Sequence, residues 1–168
     1  MRNANFLQWD LKVLSQLKDE IGLFDQIICF ETIEHIMDDR KLIFDLSKLL
    51  NPGGRILLTT PYKYYNHLFG DKLSEYEDGG HVRWGYTHEE IKDIFVKCDI
   101  EIEVQEYIGG FIPQQLCNLE RILSKSINSK FAWLIVFPLR IFNYIDRPIT
   151  RVLKYPYLSI GVVGIKRK

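Results

Sequence analysis

The chain has 168 residues, enough to bury one core and not two. With 46% hydrophobic and 26% charged residues it has the balance of an ordinary globular protein, which argues against a disordered chain. The net charge is zero, yet residues 1–120 hold 12 Lys+Arg against 21 Asp+Glu, while residues 121–168 hold 10 against 1, Asp146. Either the basic tail packs on the acidic body or the basic end meets a partner. Cys29, Cys98 and Cys117 show no metal-type spacing, so reduced thiols and a cytoplasmic location are expected. The N-terminal residues form no signal-peptide apolar region. No apolar stretch reaches the roughly 20 residues that span a bilayer. The longest, Phe131–Leu139, is interrupted by Pro138 and followed by Arg140.

Phe6–Trp9 reads as a short strand that stops at Asp10. Leu11, Leu14, Leu17 and Ile21 have helical spacing, and Gly22 can end that helix. Phe24–Phe30 is a compact, β-branched strand with little alternation, as expected of a central parallel strand covered on both faces. The spacing of Leu42, Ile43, Leu46, Leu49 and Leu50 predicts a helix over Asp39–Leu50, broken by Asn51-Pro52-Gly53-Gly54. Arg55–Thr60 is the next strand, stopped by Pro61. Tyr62–Trp84 is a polar, aromatic loop, too long for a simple connector. Thr87 with Glu90 forms a capping box for a helix whose apolar face is Ile91, Ile94 and Phe95. Ile100–Tyr107 alternates as a strand, Pro113–Tyr155 is mostly helical, and Leu158–Lys166 is a last strand. No internal repeat interrupts this order. It predicts an α/β sandwich with a largely parallel sheet.

The run Phe24-Asp25, Glu31-x-x-Glu34-His35-Ile36, a helix and then Asn51-Pro52-Gly53-Gly54 resembles the signature of class I S-adenosylmethionine (SAM) dependent methyltransferases. Gly80-His81-Val82-Arg83 before Thr87 is similar to the family's later loop and helix. The resemblance runs from about Asn5 to Lys168, with residues 113–155 as a variable helical insertion or lid. It implies a single Rossmann-like domain, a three-layer sandwich whose family sheet order is 3-2-1-4-5-7-6. It also implies that this chain begins at the third strand: no Gly-x-Gly-x-Gly loop occurs. The first two strands, which supply that loop and the ribose carboxylate, would then be absent, and a truncated or split gene would explain it.

The same resemblance implies the site. Asp10 would accept a hydrogen bond from the adenine amino group, with the Leu11 amide facing the ring. Asp10 read by itself is a helix N-cap, and the two roles are compatible. Phe30 and Glu31 would contact the methionine end of SAM at the carboxyl end of a strand, where open α/β sheets bind ligands; Phe30 could equally be core. Glu31, Glu34 and His35 would share one face of a helix and could hold a divalent cation. They are similar to the Glu-x-x-Glu-His element of small-RNA 3′-terminal 2′-O-methyltransferases and of ubiquinone-biosynthesis O-methyltransferases, and the likeness to the former implies His81, from the later loop, as a further ligand. Mg²⁺ suits the carboxylates, whereas imidazole ligands leave Mn²⁺ or Zn²⁺ open. The competing reading of Glu34-His35 is a helix start. His81 is also the one apparent general base, or else a positioning residue.

The acceptor is read as a small molecule, a glycan or a lipid. The aromatic, basic stretch 121–155 is read as a membrane-surface contact, a lid over a lipid-linked substrate, or a packed subdomain. There is no clear nucleic-acid signal. The main reading is an enzyme that transfers methyl groups from SAM. The alternative is a non-catalytic remnant or partner subunit that needs an N-terminal portion or a second chain to bind SAM.

Overall fold

The computed structural model describes residues 6–66 and 72–168, so part of the expected loop at 67–71 lies outside the described residues. Four strands form one sheet: β1 (Phe24–Phe30), β2 (Leu50–Pro61), β3 (Ile100–Ile108) and β4 (Ser159–Lys166). Their order is β1-β2-β4-β3, with β1 parallel to β2 and β4 antiparallel to both neighbours. This order corresponds to the 4-5-7-6 portion of the sheet that the resemblance implies. The expectation of a largely parallel sheet holds for β1, β2 and β3, which run the same way, and is corrected only for β4, which enters between β2 and β3 from the opposite direction.

Two further expectations are corrected. Phe6–Trp9 is not a strand: Phe6 is 95% exposed, and no described strand lies beside it to accept its backbone hydrogen bonds. Among the described residues β1 is an edge strand rather than a covered central one, pairing only with β2 and leaving Ile28 and Phe30 exposed. The segment after Asp10 is a 3-10 turn over Leu11–Leu17, kinked at Val13, followed by the short α1 (Lys18–Ile21).

Helices α2 (Asp39–Leu49) and α3 (His88–Lys97) build the core. Leu42, Ile43, Leu46 and Leu49 of α2, and Ile91, Ile94 and Phe95 of α3, are buried with Ile56, Leu58, Ile100, Ile160 and Val162 of the sheet. Each such side chain stabilises by about 1.5–3 kcal/mol on burial. The capping box at Thr87 and Glu90 is present in both directions. After α2 the chain turns straight into β2, and Asn51–Gly54 bulges out between the Phe24–Leu50 and Gln26–Arg55 pairs. Gly54 is needed there: a Cβ would lie 2.9 Å from the Asn51 carbonyl oxygen and 3.1 Å from that of Asp25.

Between β3 and β4 run α4 (Phe111–Ser126), α5 (Ser129–Leu139), a 3-10 turn over Arg140–Ile145 and α6 (Asp146–Leu153). The N-terminus of α4 has no cap of its own. Buried Asp146 supplies one from α6, accepting from the amides of Gly110 and Ile112 at 2.8 Å each, while Thr150 accepts from that of Phe111 at 2.8 Å. These bonds satisfy amides that the helix itself cannot pair. Asp146→Ala is therefore expected to lower stability by roughly 1–3 kcal/mol, the cost of orphaned buried donors. Thermal unfolding checks it, and an unchanged Tm would mean that water serves those amides equally well.

Candidate functional site

The site forms at the carboxyl ends of the parallel pair β1 and β2. β1 ends at Phe30, and Glu31 turns the chain through a left-handed conformation, φ 45°, with its amide donating to the Thr59 carbonyl at 2.9 Å. A 3-10 turn over Ile33–His35 follows. It sends Ile33 and Glu34 inward, both fully buried. From β2, the Thr60 hydroxyl donates to Glu34 Oε2 at 3.1 Å. Glu34 Oε1 is buried without a hydrogen-bond partner. The Glu34 carboxyl is held above its usual range, chiefly by burial and with a contribution from the negative charge of Glu31, while its own backbone amide and then the Thr60 bond oppose.

The loop from β2 to α3 closes over this turn. His35 Nδ1 lies 2.9 Å from the Gly80 carbonyl. A carbonyl only accepts, so Nδ1 carries the proton, and in the neutral ring Nε2 is then the nitrogen that presents a lone pair. His35 Nε2 stands 3.9 Å from Glu34 Oε1, and the His35 and His81 rings meet edge to face at 4.6 Å. Glu34, His35 and His81 thus offer ligand atoms all within 4.8 Å of one another. Glu31 is not in this group: its strained turn precedes the three-residue helix, so the helical spacing that would align it with Glu34 is never formed.

Several holding residues have no role in the sequence reading. Arg83 pairs with Asp39 and donates through Nη2 to the carbonyls of Ile36 (2.7 Å) and Met37 (2.8 Å). The Tyr86 hydroxyl donates to the same Asp39 at 2.7 Å, and burial and that carboxylate push its pKa far up. Glu77 accepts from the Met37 amide at 2.7 Å and pairs with Lys12 at 2.6 Å, which holds its carboxyl below the usual range. Each joins residues 40 or more positions apart, and no local pattern announces them. Cys29 is no nucleophile here, since burial pushes its thiol up to about 11.

Leu11 lines a cavity of about 790 Å³ together with Ile36, Met37, Leu42 and Tyr76. Asp10 stands at its edge in sequence and caps the 3-10 turn by accepting from the Lys12 amide at 2.9 Å. Phe30 and Glu31 are exposed at the end of β1 and do not line this cavity.

Residues 3–103 match the family model described as a methyltransferase domain. Over 58 residues, 34% of this chain, it is 31% identical to the ubiquinone biosynthesis O-methyltransferase of Coxiella burnetii, covering 24% of that protein. The counterpart from Xanthomonas oryzae pv. oryzae is 38% identical over 42 residues, 25% of this chain and 18% of that protein. The matches thus span a quarter or less of the length of these curated relatives. Among solved structures, a candidate methyltransferase from Bacillus halodurans C-125 superposes with a TM-score of 0.58 at 14% identity, covering all of this chain and 74% of the other. A candidate sarcosine dimethylglycine methyltransferase from Galdieria sulphuraria gives 0.53 at 14% identity over 92% of this chain and 57% of that one. These two likenesses establish the fold, a Rossmann-like α/β sheet. The match of the family model over most of the chain carries the assignment: the chain belongs to the methyltransferase-domain family.

Proposed function

We propose that this domain serves the transfer of a methyl group from SAM to a nucleophile on a small-molecule, glycan or lipid acceptor. The observation that carries the reading is the convergence of Glu34, His35 and His81 at the carboxyl ends of β1 and β2, within the family's domain. The cavity beside them offers apolar surface from Leu11, Ile36, Met37 and Leu42 among charged side chains, and Asp10, which precedes Leu11 in the chain, would accept from an exocyclic amine. SAM brings a methyl group already activated on a sulfonium, so the residues have positioning to do rather than activation. Asp10 and Leu11 would hold the adenine, while Phe30 and Glu31 would face the methionine end. His81 would take the proton of the acceptor hydroxyl or amine, or orient it. The segment 113–155 would act as a lid of the single domain. Three cysteines free of disulfides fit a cytoplasmic setting.

Calorimetry and methyl transfer from labelled SAM test this. Affinity of the 168-residue chain is expected to be weaker than micromolar, since its sequence has no Gly-x-Gly-x-Gly loop. Asp10→Ala should weaken binding further by about 1–3 kcal/mol, the cost of an unsatisfied partner. Unchanged affinity would leave Asp10 as a cap only.

A second reading is favoured by one observation, the three ligand atoms within 4.8 Å. In it Glu34, His35 Nε2 and His81 hold a divalent cation, Mg²⁺, Mn²⁺ or Zn²⁺, and the Gly80 carbonyl fixes the His35 tautomer. Such an ion would lower the pKa of an acceptor hydroxyl. Loss of activity with chelator and recovery with Mn²⁺ or Mg²⁺ is the expected result. Full activity in excess chelator would return Glu34 and His35 to a purely structural role.

A further inference from the structure

The helical segment between β3 and β4 carries an apolar surface that its own packing does not use. In α5, Ala132 and Val136 are one turn apart and fully buried, so the inward face is already satisfied. The remaining faces are apolar as well. Trp133 and Phe137 stack at 4.7 Å on the outside, and Leu134 is 64% exposed. The surface continues through Ile141 (64% exposed), Tyr144 (90%) and Val152 (82%). A helix apolar all round is ordinarily enclosed by protein or lipid, and an exposed patch of this kind marks an interaction site. No helix among the described residues is long and apolar enough to cross a membrane, and α5 has 11 residues.

Charge identifies the occupant. Residues 121–168 contain one acidic side chain, Asp146, which is buried and engaged in capping α4. Arg140 and Arg147 are paired with Glu120 and Glu106. Lys130, Arg151 and Lys154 are exposed and make no ion pair with a described residue. An apolar face with unneutralised cations at its rim matches the headgroup region of an anionic bilayer. A second copy of the chain matches poorly, since a two-fold contact would set the same cations face to face.

We propose that residues 122–153 form a docking surface for a membrane rich in anionic lipid, with α5 lying flat in the headgroup plane. Docking does not rest on the methyl-transfer reading, but a consequence for that reading does. An open cavity of about 380 Å³ is lined by Tyr62, Tyr107 and Tyr157 together with Arg151 and Lys154. Tyr62 follows β2, Tyr107 is the last residue but one of β3 and Tyr157 precedes β4, so the cavity sits at the same sheet end as Glu34. The docking surface and the mouth of this cavity thus share α6, which suits an acceptor with an anionic headgroup drawn from the bilayer.

Co-sedimentation of the whole chain with phosphatidylcholine vesicles, with and without about one-third phosphatidylglycerol, tests the proposal. Binding is expected to the anionic vesicles and to be released as salt is raised. Joint replacement of Lys130, Arg151 and Lys154 by Gln should reduce partition on the order of 100-fold, each cation contributing about fivefold. Leu134→Ser with Phe137→Ser should reduce it without changing the salt dependence. All five side chains are exposed, so circular dichroism should show these variants folded. Equal partition into both vesicle types, or none, overturns the proposal. So does a dimer in sedimentation equilibrium that Leu134→Glu dissociates, which would assign the face to a second copy.

Discussion

Phe95→Ala is expected to lower the unfolding free energy by roughly 3–5 kcal/mol, the usual cost of emptying a fully buried aromatic site. The ring is completely buried and lies where β4 has no side chain. A Cβ on Gly164 would fall 2.7 Å from Phe95 Cε2 and 2.4 Å from Ile100 Cγ2. Gly164 thus makes the hollow that α3 fills, and α3 starts at the end of the loop bearing His81 and Arg83. Gly164→Ala should itself cost about 1–3 kcal/mol by overpacking. The double variant should be less destabilised than the sum of the two, because the added methyl occupies part of the vacated space. Urea unfolding of the four proteins measures all three terms. Strict additivity would mean that α3 moves away from the sheet rather than packing on it.

Much of this fold was legible because its signals are local. Thr87 and Glu90 are three residues apart and announce a helix by themselves; Leu42, Ile43, Leu46 and Leu49 need only the helical period. The errors came where a property belongs to a partner. Phe6–Trp9 has the composition of a strand, but a strand needs a neighbouring edge, and composition does not supply one. The sheet polarity depends on β4, which enters beside β2 after some hundred residues. The site divides the same way. Glu34 and His35 are adjacent and stand out in the sequence. His81 came from the resemblance alone, and Thr60, Arg83 and Glu77, which hold the turn in place, left no trace in spacing. The left-handed backbone at Glu31 is likewise set by its tie to Thr59 in β2, so the helical spacing overstated its reach toward Glu34.

Glu34→Gln is expected to change both the pH dependence of stability and the response to metal. The carboxyl is fully buried, Oε1 lacks a hydrogen-bond partner, and burial raises its pKa above the ordinary value near 4.5. A carboxyl whose folded pKa is raised contributes stability that is complete below its unfolded pKa and is lost as pH rises through the folded value. In metal-free buffer, stability of the parent chain should therefore fall from about pH 4.5 upward relative to Glu34→Gln, which has no such proton to lose. A cation reverses the sign. It favours the charged form, gives Oε1 the partner it lacks, and binds only where His35 and His81 are already in place. Mn²⁺ should then raise the Tm of the parent near neutral pH, because ligand that binds only the folded state stabilises it. Glu34→Gln should bind the ion on the order of 100-fold more weakly or not at all, and show little shift. Thermal scans of both chains across pH, with chelator and with Mn²⁺, separate the two effects. Parallel pH profiles would show that Oε1 is already satisfied, and a metal shift equal in both chains would place any bound ion away from Glu34. Either result would leave His35 and His81 as a positioning pair.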